Sequence, residues 1–225
     1  MGMLDNIDAA LFDMDGTLID SMWMWRQIDI DYLGQFGIEL PDDLQKTIEG
    51  WSFDETARYF QKRFGITDDV NVIKAEWNAM AYDFYLNEVQ LKPGAIEFLK
   101  ELRKRGIRCG IATSNSKELV AAVLKNLNVR EYFEEIHTAC EVEHGKPFPD
   151  IYLLVAEKLG ADPSRCLVFE DILPGIEAGK AAGMKVCAVY DEYSQNELAV
   201  KIARSDYYFR GFDEMLEHPE VLWAK

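Results

Sequence analysis

The sequence predicts an α/β protein: a doubly wound parallel sheet interrupted near its start by an all-helical insertion. Three observations carry this. From about residue 91 onward, short apolar runs alternate with helix-patterned segments, and such alternation specifies βαβ units around a parallel sheet. Between about 19 and 90, apolar and aromatic residues recur only at helical spacing, which reads as a separate helical block. Ahead of both, one apolar run ends in two closely spaced acids. The expected organisation is an α/β core formed by 1–18 and 91–225, Rossmann-like, with a helical cap over 19–90.

The elements follow in order. Ile7-Asp8-Ala9-Ala10-Leu11-Phe12 is a short run ending at Asp13 and reads as a buried central strand. Trp25, Ile28, Tyr32, Leu33 and Phe36 mark a helix that Gly37 stops. Ser52-Phe53-Asp54-Glu55 is a capping box that starts a second helix, with Phe53, Ala57, Phe60 and Phe64 on one face and Gly65 at its end. Ile73, Trp77, Met80 and Phe84 mark a third. Pro93-Gly94 opens a helix with Pro at its first position. Lys100, Arg103, Lys104 and Arg105 fall in its last turns, where cations suit the helix dipole. Strands are expected at 107–112, 136–139, 166–169, 184–189 and 207–209, and helices at 117–126, capped by Ser116, at 150–159 and at about 174–182.

Composition narrows the function classes. The chain has 225 residues, 48% of them hydrophobic, which is enough for a packed core. Forty acidic against 24 basic residues leave a net charge of −16, which argues against nucleic acid and anionic membranes as partners. No run of 18 apolar residues occurs, and the N-terminus lacks a basic start and an apolar core like those of a signal peptide. Asn6 stands where a myristoylation motif needs Ser or Thr. Cys109, Cys140, Cys166 and Cys187 show no C-x-x-C spacing, as expected of reduced thiols in a cytoplasmic protein.

Chemistry-bearing residues collect where the predicted strands end. Asp13 and Asp15 follow the first strand, Ser114 and Asn115 the second, Glu170 and Asp171 a later one, and Lys146 lies in a loop between them. Each has an ordinary reading alone: a turn, a helix cap, a solvated lysine. In an open parallel sheet, however, ligands bind beyond the carboxyl ends of the strands. Four carboxylates gathered there repel one another unless a cation sits among them. A hard divalent cation with oxygen ligands meets that need, and Mg²⁺ keeps water positions that a substrate phosphate can take.

In this order Asp13-Met-Asp15-Gly-Thr, Ser114, Lys146-Pro and Glu170-Asp171, with a helical block after the first motif, resemble the haloacid dehalogenase-like superfamily. The resemblance is strongest to the branch that includes beta-phosphoglucomutase and phosphoglycolate phosphatase. It implies Asp13 as nucleophile and Asp15 as general acid and then base. It implies Ser114, Asn115 and Lys146 around the transferring phosphoryl group. Mg²⁺ would be held by Asp13, the backbone carbonyl of Asp15, Asp171 and, directly or through water, Glu170. The expected partner is a small phosphoester, with the protein a monomer or homodimer.

Two departures separate the hydrolase from the mutase reading. Beta-phosphoglucomutases carry a cap His and a cap Arg, and by counting from the flanking motifs Trp25 and Phe53 stand there. A mutase must hold a second phosphate in the cap, so hydrolysis is the expected reaction. The cap then sets the substrate, with Trp23, Trp25 and Trp51 the candidates for an aromatic wall and 18–22 and 88–92 for hinges. A receiver-like phosphorylation switch and a phosphoester-binding protein without turnover are the non-enzymatic alternatives.

Overall fold

The computed structural model describes residues 2–217, so Met1 of the N-terminal reading and residues 218–225 of the predicted core lie outside it. Six parallel strands form one sheet in the order β5-β4-β1-β6-β7-β8. They are β1 (Ala9–Phe12), β4 (Arg108–Thr113), β5 (Glu135–Thr138), β6 (Cys166–Glu170), β7 (Lys185–Val189) and β8 (Tyr207–Phe209). The ends of β1 sit between β4 and β6, with Phe12 in register with Ile111 on one side and Phe169 on the other. The chain therefore changes winding direction at β1, and the crevice beyond Asp13 is the expected ligand position in such a sheet.

Alternation along β1 explains the two layers. Ala10 and Phe12 point into one apolar cluster and Ala9 and Leu11 into the other. The first cluster holds α5 (Ala95–Lys104), α6 (Lys117–Asn126) and α10 (Phe212–Glu217); Phe12 stacks on Phe169 with ring centroids 4.7 Å apart. The second holds α7 (Asp150–Leu159) and α8 (Leu173–Ala181). Helices thus cover both faces of a sheet whose inner strands are buried throughout.

Four helices lie between β2 (Ile19–Asp20) and β3 (Gln90–Leu91): α1 (Met22–Gln35), α2 (Leu44–Ile48), α3 (Phe53–Phe64) and α4 (Val70–Asn87). β2 and β3 pair antiparallel, so the chain leaves for the helical block and returns from it through one two-stranded ribbon. That ribbon corrects the expectation of a strand-free stretch. The aromatic stripes pack the block: Trp77 meets Tyr32, Phe53 and Phe60 with centroids 5.1–5.7 Å apart. The Ser52 capping box forms as expected, and Gly65 closes α3 in the left-handed conformation. The block rests on the core through α4 and α6, where Ser116 Oγ donates to Asn78 Oδ1 and the Asn126 amide donates to the Leu86 carbonyl.

Other boundaries shift. Pro93 does not open α5; the helix begins at Ala95 after Gly94, whose φ of +74° fits it against the backbone of Phe212 and Asp213. The short α2, the 3-10 turn over Glu192–Glu197 with α9 (Leu198–Arg204) behind it, and α10 lack the long apolar period that marks the other helices. All four cysteines are free, three of them buried. Among the described residues no helix is long and apolar enough to cross a membrane.

Candidate active site

The strand ends converge as the topology requires. Asp13 follows β1, Glu170 ends β6 and Asp171 comes next, and one carboxylate oxygen from each lies within 4.8 Å of the others. All three are buried, as is Lys146, which arrives from the loop before α7. Lys146 Nζ donates to Asp13 Oδ1 at 2.6 Å and lies 2.6 Å from Glu170 Oε1. Gly16, at φ +83°, turns the chain directly behind Asp171, and a side chain there would collide with the Asp171 carboxylate. Gly175 in α8 similarly leaves room for the Glu170 carboxylate.

The charges do not balance within the cluster. Burial works against the Lys146 ammonium, but Asp13 and Glu170 outweigh it and lift its pKa above the ordinary lysine value. Burial pushes the Asp13 carboxyl up to about 8, with Lys146 opposing and Glu170 adding. Asp171 is raised by burial, then by Asp13 and Glu170, with the Thr17 hydroxyl opposing. Were all three carboxyls ionised, one ammonium would leave the cluster short of two positive charges, and without a further cation Asp13 and Asp171 keep their protons instead.

The donor set fits a divalent cation that would supply those charges. Asp171 Oδ1 accepts from Thr17 Oγ1 at 2.8 Å, while its Oδ2 is buried with no hydrogen-bond partner. An orphaned buried carboxylate oxygen beside Asp13 is an open ligand position. Glu170 differs, because Tyr152 Oη, Lys146 and the backbone N–H groups of Asp171 and Ile172 already occupy both of its oxygens.

Asp15 stands apart from this cluster. Its Oδ1 accepts from Ser21 Oγ at 2.6 Å, from Trp25 Nε1 at 3.2 Å and from Tyr85 Oη; its Oδ2 accepts from Asn115 Nδ2 at 2.8 Å. Three of those donors, Ser21, Trp25 and Tyr85, come from the segment over 19–90, the last two from its helices. Asn115 also donates to Tyr85 Oη at 2.7 Å, which locks the two donors together.

A cavity of about 510 Å³ connects these groups, lined from the core by Asp13, Asp15, Ser114, Asn115, Lys146 and Asp171. The helical block supplies the facing wall, including Trp25, Trp51 and Phe53. Ser114 Oγ donates to the carbonyl of Gly50 at 3.1 Å, so the loop before Trp51 reaches the sheet end. Trp23 is not part of the wall: its indole N–H donates to the Asp20 carbonyl and its ring packs on Phe84.

Sequence reasoning missed the residues that hold the expected ones. Thr17, Ser21, Tyr85 and Tyr152 each donate to a carboxylate of the site. Lys201, fully buried in α9, donates to the Asp171 carbonyl at 2.6 Å and to Ser194 Oγ at 2.7 Å. Thr17 had a signal, since it follows the Asp-x-Asp-Gly turn. Tyr85 and Lys201 had none beyond their place on helices.

Comparisons with known proteins agree with this geometry. Residues 7–183 match the model of a hydrolase family described as haloacid dehalogenase-like hydrolase. Hexitol phosphatase B of Escherichia coli is 28% identical over 207 residues, covering 84% of this chain and 86% of the relative. A phosphorylated carbohydrates phosphatase of Thermotoga maritima is 29% identical over 179 residues, covering 80% and 83%. The crystal structure of CbbY from Rhodobacter sphaeroides, in complex with phosphate, superposes with a TM-score of 0.82 at 25% identity, covering 93% of this chain and 96% of that one. The matched segment runs from the approach to β1 to just past α8 and takes in Asp13, Asp15, Ser114, Asn115, Lys146 and Asp171 at the cavity, so the chain belongs to the haloacid dehalogenase-like hydrolases.

Proposed function

We propose that the protein is a Mg²⁺-dependent phosphatase of small phosphomonoesters, acting through an aspartyl phosphate on Asp13. The observation that carries this is the pairing of Asp13 with Lys146 beside the unpartnered Asp171 oxygen, on the floor of a cavity that Asp15 also lines. The relatives named as phosphatases support the reaction class. The helical block over 19–90 acts as a cap that hinges at 18–22 and 88–92, next to the β2–β3 ribbon.

In the first step an Asp13 carboxylate oxygen attacks phosphorus in line, and the bond from phosphorus to the ester oxygen breaks. Asp15 gives its proton to that leaving oxygen. In the second, Asp15 takes a proton from water as the water oxygen attacks the same phosphorus. The bond to Asp13 breaks and inorganic phosphate leaves. Lys146, Ser114 and Asn115 hold the phosphoryl oxygens, with Ser114 released from the Gly50 carbonyl as the cap moves. Asp13, Asp171 and the Asp15 backbone carbonyl would hold Mg²⁺, with Glu170 reaching it through water because its oxygens are already engaged. When bound, Mg²⁺ supplies charge neutralisation for the phosphoryl oxygens.

The two cap positions that carry His and Arg in beta-phosphoglucomutases favour hydrolysis over phosphoryl shuttling here. Trp25 and Phe53 meet edge to face, centroids 5.6 Å apart, and neither offers a positive charge for a second phosphate. The test is turnover of an aryl phosphate with and without Mg²⁺ by the wild type and Asp13→Asn. Mg²⁺-dependent release of phosphate that the variant loses by at least about a thousandfold is expected. Equal turnover by the two would overturn the proposal, and isomerised product from hexose 1-phosphates would favour the mutase.

A further inference from the structure

We propose that Asp29 and Gln45 read the hydroxyl groups of a polyhydroxylated leaving group that carries no second anion. This rests on the phosphatase reading above and names its substrate class. Asp29 lies on α1, one turn beyond Trp25, and both Asp29 and Gln45 line the cavity shared with Asp13. Asp29 is only 8% exposed, yet among the described residues the one hydrogen bond to its carboxyl is from the Gln45 amide. Its buried neighbours on the helix are Met24, Ile28, Tyr32 and Leu33. A carboxyl buried among apolar side chains without a cation is expensive, and a leucine would pack there more cheaply. Nothing in the packing of α1 calls for an acid. A ligand that enters the cavity does.

The chemistry of the pair selects the ligand. Gln45 donates one amide hydrogen to Asp29 and keeps its carbonyl oxygen and a second N–H. Asp29 keeps acceptor positions on both oxygens. Adjacent hydroxyls, each a donor and an acceptor, match that array, whereas a carboxylate or phosphate brings only acceptors. The surrounding charge points the same way. Asp42, Glu49 and Glu197 also line the cavity. Of the two cations on that side, Lys46 is paired with Glu197 and Arg26 is exposed. Trp51 and Phe53 add apolar surface for the C–H faces of a sugar or polyol.

The experiment measures kcat/KM for hexose, hexitol and pentose monophosphates, phosphoglycolate and p-nitrophenyl phosphate, in the wild type, Asp29→Leu and Asp29→Asn. The wild type should prefer at least one polyhydroxylated ester to phosphoglycolate by about a hundredfold or more. Asp29→Leu should lower the ratio of that ester to the aryl ester at least tenfold, and Asp29→Asn, which keeps a carbonyl acceptor, should lower it less. Thermal unfolding of each variant reports folding separately. A ratio that stays within about twofold in Asp29→Leu, or a wild type that prefers phosphoglycolate, would overturn the proposal while leaving the phosphatase reading intact. A wild type inactive on every ester, the aryl one included, would overturn both.

Discussion

The floor and the wall of the cavity are built on opposite principles. On the floor, Asp13, Glu170, Asp171 and Lys146 are buried; Lys146 bridges Asp13 and Glu170, both Glu170 oxygens are engaged, and the Asp171 oxygen without a partner faces the position a cation would take. On the wall, Asp29 and Glu49 are carboxyls that burial pushes up to about 7, with few partners to hold them. The floor is preorganised and the wall is left wanting contacts. A floor of that kind fixes one reaction, because charge is positioned before the substrate arrives. A wall with unused hydrogen-bonding capacity selects among leaving groups, because a substrate that fails to satisfy it leaves buried polar groups unpaired.

The comparison can be broken first at the floor. Lys146→Met removes the ammonium from between Asp13 and Glu170. We expect a loss of kcat/KM of about a thousandfold or more, and destabilisation of about 3–5 kcal/mol in urea unfolding without added metal. Mg²⁺ should restore part of the stability and none of the phosphoryl contact. Lys201→Met loosens the Asp171 backbone, because the lysine and Ser194 both donate to its carbonyl. Mg²⁺ affinity measured by calorimetry should fall about 10–100-fold.

Where floor meets wall the effect should be smaller. Trp25→Phe removes one of four donors on Asp15 while keeping an aromatic ring against Phe53 and Tyr85. A loss of kcat of about tenfold is expected with little change in KM. Unchanged kcat would mean that Trp25 only packs.

The wall carboxyl also has a signature in stability, apart from its effect on substrate choice, and this is the smallest of the expected effects. The Asp29 carboxyl binds its proton more tightly in the folded chain than in the unfolded one, burial being the cause and Gln45 opposing. Between about pH 4 and 7 the folded chain keeps a proton that the unfolded chain has lost, so this group's contribution to stability falls as pH rises through that window. Asp29→Asn removes the titration. Its Tm should exceed that of the wild type by a few degrees at pH 8, and the gain should shrink as the pH approaches 4. A gain equal at both pH values would refute the assignment.

The same contrast explains what could be read from the chain. Asp13 follows β1, Glu170 ends β6 and Asp171 comes next, and parallel topology brings such strand ends together, so the floor is legible in the chain itself. Ser52 and Ser116 began helices where local capping chemistry placed them. Pro93 misled because Gly94 is held by a contact with Phe212 and Asp213, more than a hundred residues away, rather than by its neighbours. Tyr85 sits on a helix among residues patterned like core, and only the docking of α4 on α6 sends its hydroxyl to Asp15. Lys201 lies in a seven-residue helix with little period of its own. Asp29 resembles any acid on an amphipathic helix until its burial is known. Local signals placed the strand-end carboxylates, whereas their support and the wall come from long-range packing.

The central claim is that Asp13 carries the phosphoryl group between two half-reactions. An aryl leaving group needs no proton to depart, so Asp15→Asn should still be phosphorylated by an aryl phosphate and should stall before hydrolysis. Acid quenching of that variant with a ³²P-labelled aryl ester and Mg²⁺, followed by peptide mapping, measures this directly. The account predicts close to one label per chain, on the peptide that contains Asp13. Hydrolysis by the wild type with no label trapped on Asp13 in either protein would contradict it.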